Sequence, residues 1–375
     1  MKKVLFAATV MIHIQSFHIP YLKWFKDRGF EVHVACNMSM SKGDGEEIPY
    51  CDFIHDIPFA RSPLAAENIK AYRSLKAIIN KEGFSVIHAH TPVGGALARL
   101  AARKARKRGT KVIYTAHGFH FYKGSPLSGK VIFYPIEKSL ARYTDCLITI
   151  NDEDYNTALS RHFKARNIVK VNGVGIDLNK FTASKDKRAE KRAELGIGQD
   201  DIMLLSVGEL NNNKNHMTVV KAVAAMKNTQ IKYVICGSGA LKKQIEAQAR
   251  SLGIESQVML AGYRNDTREI YQAADIFVFP SLREGLPVSV MEAMASGIPI
   301  VAADIRGNRD LIIDGKGGYL IENALDDREY ASKITDLINN PEKIKRMTAF
   351  NLDRVLIFSI DNVKKQMTDI YEEYI

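Results

Sequence analysis

Apolar residues recur along the chain in short, nearly continuous runs that alternate with stretches of helical spacing. In the first half these runs are KVLFAAT, EVHVAC, SVIHAH, KVIYTAH and DCLITIN. In the second half they are IMLLSVGEL, IKYVICG, QVMLAGY, IFVFP and IPIVAA. Runs without a polar face predict strands buried on both sides, which is typical of parallel sheets covered by helices. The pattern therefore predicts an α/β fold with two series of doubly wound parallel strands.

The chain turns polar and charged between the two series, from about residue 174 to residue 200. A length of 375 residues also exceeds what one hydrophobic core normally serves. We therefore predict one Rossmann-like domain at residues 1–172 and a second at residues 173–358. Residues 359–375 are predicted to form a C-terminal helix.

Composition indicates a globular protein, with 46% hydrophobic and 25% charged residues. The longest apolar runs have the length of strands, so we expect no membrane-spanning helix. Cys36, Cys51, Cys146 and Cys236 are far apart and form neither a CxxC pair nor a local His/Cys cluster. These features predict a reduced, cytoplasmic protein.

Positive charge is concentrated in the first half of the chain. Residues 1–172 contain 26 Lys and Arg against 14 Asp and Glu, whereas the whole chain carries a net charge of +11. The densest basic run is LARLAARKARKRGTK, which reads either as a solvated helix face or as a patch for anionic lipid. Each basic residue near such a surface adds ~1 kcal/mol of attraction. The predicted membrane patch comprises Arg99, Arg103, Arg106 and Lys107. No nucleic-acid-binding motif accompanies it, so we expect no nucleic-acid partner.

The segment PSLREGLPVSVMEAMASGIPIVAA carries the most specific chemistry. It places Glu284 on a loop after a strand and Glu292 inside the following helix, which Pro287 suits at its first turn. A helix N-terminus offers free N–H groups and a positive dipole end, which suit a diphosphate. The residues predicted to meet this diphosphate are Gly285, Leu286, Pro287 and Val288. Carboxylates beside such an anion site need hydroxyl donors, for which sugar and ribose are the obvious candidates.

Three further patterns fall on strand-to-helix turns of the second series. SVGELNNNKNH contains Gly208 and Lys214, whose ammonium could lie over a diphosphate. VICGSG contains Gly237 and Gly239, which permit a close approach of phosphate or ribose to the backbone. In AGYRND, Tyr263 and Arg264 could meet a nucleobase, although Tyr263 could equally be a core residue.

Histidines follow the strand ends of the first series. His117 ends the run KVIYTAH, His90 ends SVIHAH, and His13 and His18 follow the first strand. Ligand sites of parallel α/β sheets lie at such carboxyl ends. We therefore predict His117 as a site residue, with His13 and His90 as further candidates on the acceptor or sugar side.

The segment with Glu284 and Glu292 resembles the E-x7-E signature of family 4 retaining glycosyltransferases. VNGVGID, SVGELNNNKNH, VICGSG and AGYRND resemble further landmarks of that family and follow in the family's order. The resemblance spans essentially the whole chain and is closest to the subgroup that builds capsule and exopolysaccharide repeat units. It implies the GT-B fold, in which two Rossmann-like domains face a central cleft and residues 359–375 cross back to the first domain.

The same resemblance implies the reaction. A sugar would move with retention from a nucleotide sugar, here favoured as a UDP-sugar, to a lipid-linked saccharide at the inner face of the membrane. Lys214 would neutralise the leaving diphosphate, Glu292 would bind the ribose, and Glu284 and His117 would hold the sugar. No metal or other cofactor is expected. Glu209 stands where the family usually has Arg, so one cation of the family's diphosphate site is missing.

Other interpretations of the sequence are a nucleotide-sugar 2-epimerase of the same fold and a nonenzymatic basic scaffold that binds membrane or nucleic acid. A nicotinamide-dependent oxidoreductase is disfavoured because TVMIHIQSF, after the first strand, lacks the glycines of G-x-G-x-x-G. The acidic triplet Asp152–Asp154 could suggest a divalent metal, but its place after a strand favours a helix start.

Overall fold

In the computed structural model of the protein, the described residues are 1–40, 47–122, 124–127, 129–181 and 185–375, without the side chains of 185 and 186. They form two compact units. The first comprises Met1–Val174 and Val363–Ile375, and the second comprises Gly175–Asn362. Residues 182–184, within the polar segment predicted to join the domains, lie outside the described residues.

The described part of the first unit contains one seven-stranded sheet. Its strands are β1 (Lys3–Val10), β2 (Glu31–Asn37), β3 (Phe53–Asp56), β4 (Val86–His90), β5 (Lys111–Ala116), β6 (Cys146–Thr149) and β7 (Asn167–Lys170). They lie in the order β3-β2-β1-β4-β5-β6-β7, and all neighbours are parallel. The order reverses between β1 and β4, which is where parallel α/β sheets form their ligand sites.

The described part of the second unit contains a six-stranded sheet. Its strands are β8 (Ile202–Val207), β9 (Ile231–Cys236), β10 (Val258–Gly262), β11 (Ile276–Phe279), β12 (Ile300–Ala303) and β13 (Gly318–Ile321). The order is β10-β9-β8-β11-β12-β13, again parallel throughout. Here the reversal falls between β8 and β11, so the loops that follow these two strands are neighbours.

Helices cover both faces of the sheets and connect most successive strands. The α-helices are α1 (Met11–Phe17), α2 (Ile19–Asp27), α3 (Glu67–Glu82), α4 (Pro92–Arg106), α5 (Tyr134–Leu140), α6 (Asp152–Ser160), α7 (Lys185–Glu194), α8 (His216–Met226), α9 (Lys242–Ser251), α10 (Thr267–Ala273), α11 (Val288–Ala295), α12 (Asn308–Leu311), α13 (Asp327–Ile338), α14 (Pro341–Arg354) and α15 (Ile360–Glu372). A π-helical turn spans Gly129–Phe133, and 3₁₀ turns span Ala141–Tyr143, Leu178–Phe181, Glu255–Gln257 and Val355–Phe358. No helix among the described residues has both the length and the apolar character needed to cross a bilayer.

Alternation along β1 explains why its run is apolar throughout. Leu5 and Ala7 point into a hydrophobic cluster on one face of the sheet, whereas Val4, Phe6 and Ala8 point into a second cluster on the other face. All five are fully buried. Because a strand alternates its side chains with a period of two, a strand buried on both faces needs an apolar residue at every position.

A break at His18 separates the first two helices. Helix α1 starts directly after β1 and ends with the His18 amide donating to Ile14 O at 2.9 Å, and α2 begins at Ile19. Pro20 explains the break, because its ring removes an amide donor and is tolerated only in the first turn of a helix. The break holds His18 at the junction, close to the carboxyl end of the sheet.

The C-terminal helix α15 completes the core of the first unit. Val363, Met367 and Tyr371 repeat every four residues, so they lie on one face of the helix, and all three are buried. They join the cluster on the Phe6 side of the sheet. The Tyr371 hydroxyl also lies 2.8 Å from His88 Nδ1 on β4.

Candidate active site

The loop after β11 leads into α11 and carries the two predicted carboxylates. Glu284 lies on this loop, and Glu292 lies in the second turn of the helix. Pro287, expected in the first turn, is instead the N-cap residue, with extended backbone and no side-chain cap. The amides of the first turn, from Val288 onward, therefore have no side-chain acceptor among the described residues. The geometry needed for anion binding at a helix start is present.

Lys214 and Glu284 form an ion pair at the start of this loop. Lys214 Nζ lies 2.7 Å from Glu284 Oε1, and their side chains are 19% and 17% exposed. The ammonium also lies 4.9 Å above the ring of Phe279, the last residue of β11. A Cβ on Gly208 would stand 3.1 Å from Lys214 Cδ, so this glycine leaves room for the lysine stem.

Hydrogen bonds to backbone carbonyls hold the loops after β8 and β11 together. The amide of Leu282 donates to Asn213 O at 2.8 Å, and Asn213 Nδ2 donates to Arg283 O at 3.0 Å. Asn215 Nδ2 donates to Pro280 O at 3.1 Å. These contacts fix Lys214 opposite Glu284, although the two residues are 70 positions apart in the sequence.

Two residues that the sequence did not single out support the carboxylates. The Tyr271 hydroxyl lies 3.0 Å from Glu292 Oε2 and shares its proton between that oxygen and Ser289 O, also at 3.0 Å. Burial raises the pKa of Glu292, and the tyrosine hydrogen bond opposes this shift. Arg306, which is buried, donates from Nε to the backbone carbonyl of Glu284 at 3.0 Å. Only the apolar spacing of α10 could have indicated that Tyr271 is buried.

A cavity of about 490 Å³ is lined by residues of the first unit. Five residues that were predicted to bind the donor line another cavity, of about 470 Å³. Those five are Gly208, Gly237, Gly239, Tyr263 and Arg264. The backbone of the neighbouring loop occupies the space beside two of the glycines. A Cβ on Gly237 would stand 1.9 Å from Gly208 O, and one on Gly239 would stand 2.4 Å from Leu210 O. These glycines therefore serve the packing of one loop on the other.

Tyr263 and Arg264 both line this cavity, but they differ in exposure and in their contacts. Tyr263 is 78% exposed, so the interpretation of this residue as part of the core is wrong. Arg264 is held by Asp266 and Glu194, each with an oxygen 2.5 Å from its Nη2. These carboxylates raise the pKa of Arg264, and hydrogen bonds from Arg264 and then Lys191, against the effect of burial, hold the pKa of Asp266 well below its usual range.

The predicted histidines of the first unit lie together at the carboxyl edge of its sheet. His117 follows β5, His90 ends β4, and His13 lies on α1. His117 Nε2 lies 3.2 Å from His13 Nε2 and 3.4 Å from His90 Nδ1. Burial lowers the pKa of His13 to about 4 and the pKa of His90 and His117 well below the usual value, so these rings are neutral at pH 7. His18, noted in the sequence only for its place after β1, stacks on His90 with ring centroids 3.8 Å apart.

The basic patch requires a correction. Arg99 is 1% exposed and donates to Glu137 Oε2 at 2.8 Å and to Gly95 O at 2.9 Å, so it cannot belong to a surface patch. Its guanidinium also stacks 3.8 Å from the ring centre of Tyr114. The error arose because helical spacing alone cannot distinguish a buried arginine from an exposed one when an acidic partner comes from a distant helix.

Arg103 and Lys107 are exposed, whereas Arg106 is half-buried and pairs with Asp145 at 2.8 Å. These basic residues line a pocket of about 410 Å³ together with Lys111, which starts β5. The pocket therefore lies at the amino ends of the strands, opposite the edge that carries His117.

The acidic triplet is a helix start, as predicted. Asn151 caps α6 by accepting the Asp154 amide at 2.8 Å, and Asp152, Glu153 and Asp154 occupy the first turn. Asp154 in turn accepts the amide of Phe119 at 2.9 Å, beside the loop that carries His117. Its carboxylate thus has a structural role.

Comparison with known proteins identifies the class of the molecule. Residues 3–151 match the family described as glycosyl transferase 4-like, and residues 187–351 match glycosyl transferases group 1. EpsD of Bacillus subtilis (strain 168), whose name describes it as a glycosyltransferase, is 41% identical over 100% of this chain and 97% of its own. The chain therefore belongs to the glycosyltransferase family that these matches describe, and it is a glycosyltransferase.

Two further proteins extend the comparison. The UDP-Gal:alpha-D-GlcNAc-diphosphoundecaprenol alpha-1,3-galactosyltransferase of Escherichia coli is 26% identical over 95% of this chain and 94% of its own. The structure of Anabaena HepE in complex with UDP and glucose superposes with a TM-score of 0.81 at 18% identity, covering 100% of both chains. The predicted GT-B class, built from two Rossmann-like α/β units, is confirmed by this likeness of fold.

The burial of Arg99 generates a prediction about stability. Arg99→Ala is expected to lower the free energy of unfolding of the first unit by about 3–5 kcal/mol, because Glu137 would stay buried without its cation. Urea unfolding followed by tryptophan fluorescence measures the loss, since the one tryptophan of the chain, Trp24, lies in this unit. Arg103→Ala, one turn along the same helix and exposed, should stay within about 0.5 kcal/mol of the parent. Equal losses in both variants would contradict the buried-pair assignment.

Proposed function

We propose that this glycosyltransferase moves a sugar, with retention, from a UDP-sugar to a lipid-linked saccharide during synthesis of a capsule, an exopolysaccharide or another surface glycan. The observation that carries the proposal is the Lys214–Glu284 ion pair in front of the uncapped start of α11. The donor class is supported by the UDP bound in HepE, and the acceptor class by the diphosphoundecaprenol named for the Escherichia coli relative.

In this proposal each part of the donor has its own place in the second unit. The 470 Å³ cavity beside Tyr263 and Arg264 suits the base, and Glu292 suits the ribose hydroxyls. The amides of Gly285, Leu286 and Val288 and the Lys214 ammonium suit the diphosphate. In the first unit, His117 is the histidine that the family resemblance assigns to the sugar, and this assignment stays a prediction.

The Lys214–Glu284 pair gives a physical reason for the order of binding and reaction. Without donor, each group neutralises the other, so no lone carboxylate faces the helix start. A diphosphate attracts the ammonium and leaves the Glu284 carboxylate to accept hydrogen bonds from sugar hydroxyls. The donor therefore makes contacts with two charged groups that already pair with each other, so its binding does not require the desolvation of two further protein charges.

We propose that charge on the departing diphosphate is met by Lys214 and the helix start, without a metal at that position. The acceptor hydroxyl oxygen forms a bond to the anomeric carbon on the face that the diphosphate leaves. The bond from that carbon to the phosphate oxygen breaks, and the hydroxyl proton passes to the diphosphate. Glu209, exposed at the rim of the 470 Å³ cavity, adds no cation, so the role of Lys214 is correspondingly larger.

Nucleotide selectivity tests the donor class directly. UDP is expected to raise the melting temperature of the protein, whereas GDP, ADP and NAD are expected to leave it unchanged, because a ligand that binds the folded state adds stability by mass action. A thermal-shift titration measures this. Stabilisation by GDP or ADP alone would replace UDP by another donor class, and stabilisation by NAD alone would contradict the transferase site.

Removal of either member of the ion pair tests the site. Lys214→Ala and Glu284→Ala are each expected to lower kcat/KM for transfer by about 10²–10³, the range seen when one group that stabilises developing charge is lost. The assay follows UDP release in the presence of a lipid-diphosphate-linked saccharide. Lys221→Ala, an exposed lysine on α8, is the control with the same change of charge as Lys214→Ala. Near-parental turnover in both site variants, with the fold retained, would overturn the assignment.

The remaining basic patch is proposed to bring the first unit to an anionic membrane. Replacing Arg103, Lys104 and Lys107 by Ala removes three exposed cations and is expected to weaken binding to phosphatidylglycerol vesicles by about 100-fold, at ~1 kcal/mol per residue. Arg106 is kept because it pairs with Asp145. Vesicle flotation measures the binding.

The control for this experiment has the same loss of charge in the second unit. It replaces the exposed lysines Lys221, Lys242 and Lys243 by Ala. Undiminished flotation of the first-unit variant, or an equal loss in the control, would contradict a specific membrane patch.

A further inference from the structure

We propose that His13, His18, His90 and His117 form a binding site for a divalent transition metal of the zinc class. One nitrogen of each ring can be chosen so that the four lie within 4.8 Å of one another. The four residues come from α1, the α1–α2 junction, the end of β4 and the residue after β5, all in the first unit. The inference goes beyond the proposed transfer reaction, and it assigns to the metal the same His117 that the family resemblance assigns to the sugar.

Two of the nitrogen separations match those of tetrahedral coordination. Zinc–imidazole bonds of about 2.0–2.1 Å place two ligand nitrogens of a tetrahedron roughly 3.3–3.4 Å apart. The observed separations from His117 Nε2 are 3.2 Å to His13 Nε2 and 3.4 Å to His90 Nδ1. Hydrogen bonding explains this arrangement poorly, because one ring nitrogen carries either one proton or one lone pair, yet His117 Nε2 faces two other nitrogens.

Unpartnered buried nitrogens give a second, independent observation. Neither ring nitrogen of His18 has a hydrogen-bond partner among the described residues, although this histidine is only 4% exposed. A buried polar group without a partner destabilises the fold, so such groups call for a ligand. A metal ion takes the lone pair of a neutral imidazole and would satisfy a nitrogen that no protein donor reaches.

The type of ligand restricts the metal. Four neutral imidazoles without a carboxylate do not suit Mg²⁺ or Ca²⁺, which require oxygen ligands. Imidazole suits zinc, cobalt, nickel and copper. A fifth histidine, His88, packs against the cluster, with its ring centroid 4.0 Å from that of His90. Its own two nitrogens each lie 2.8 Å from a hydroxyl oxygen, one from Thr115 Oγ1 and the other from that of Tyr371. His88 is thus committed to other partners and supports the ligands instead of joining them.

Cobalt binding to the tag-free, full-length protein tests the proposal without an activity assay. After treatment with a chelator, titration with Co²⁺ is expected to produce the intense visible absorption of tetrahedral cobalt, saturating at one equivalent and abolished by one equivalent of Zn²⁺. His13→Ala and His18→Ala are each expected to weaken binding by at least about tenfold. His13 is half-buried on α1, so its replacement tests the site even if His18→Ala perturbs folding.

His55→Ala is the matched control. This histidine lies in the same unit on β3, where its Nε2 is 2.8 Å from His33 Nδ1, and its loss should leave cobalt binding unchanged. Absence of the tetrahedral spectrum in the parent protein would overturn the proposal. The same conclusion would follow if folded His13→Ala bound cobalt as tightly as the parent.

Discussion

Parallel pairing of every strand is the constraint on which the rest of this structure depends. It forces each connection across a face of the sheet and buries both faces. The carboxyl ends of all strands in one unit then share one edge. In the first unit that edge gathers the histidines that follow β1, β4 and β5, and in the second it gathers the loops after β8, β9 and β11.

Two ion pairs show how burial and place decide what a charge does. Arg99 and Glu137 are both buried within helices of the first unit, and the Tyr114 hydroxyl donates to the second Glu137 oxygen at 3.0 Å. That pair is enclosed by protein, with side chains 1% and 8% exposed. Lys214 and Glu284 are less enclosed and stand on loops beside an uncapped helix start. Of the two, the second pair is the one that a ligand can reach, and this difference separates a structural pair from a candidate catalytic one.

The sequence predicts the fold well because the fold depends on local patterns. Continuous apolar runs such as that of β1 identify buried parallel strands, and the strand, loop and helix around Glu284 and Glu292 follow from Pro287 and the flanking runs. What the sequence could not predict depends on partners distant in the chain. Arg99 lies on the helical stripe of exposed cations, and only Glu137, 38 residues away, explains its burial. The histidine cluster likewise has no metal-binding spacing, because its members come from separate segments.

The glycines after β8 and β9 show how one residue type can satisfy both a packing and a binding requirement. Gly237 and Gly239 were expected to let a phosphate approach the backbone, yet the space beside each is filled by the carbonyl of Gly208 or Leu210. Close contact between these loops draws the loop that carries Lys214 towards the 470 Å³ cavity, while hydrogen bonds from Asn213 and Asn215 tie the same loop to the one that carries Glu284. The glycines therefore act through the loop that they pack against. A larger side chain at either position would clash with that loop and displace Lys214, even with no ligand bound.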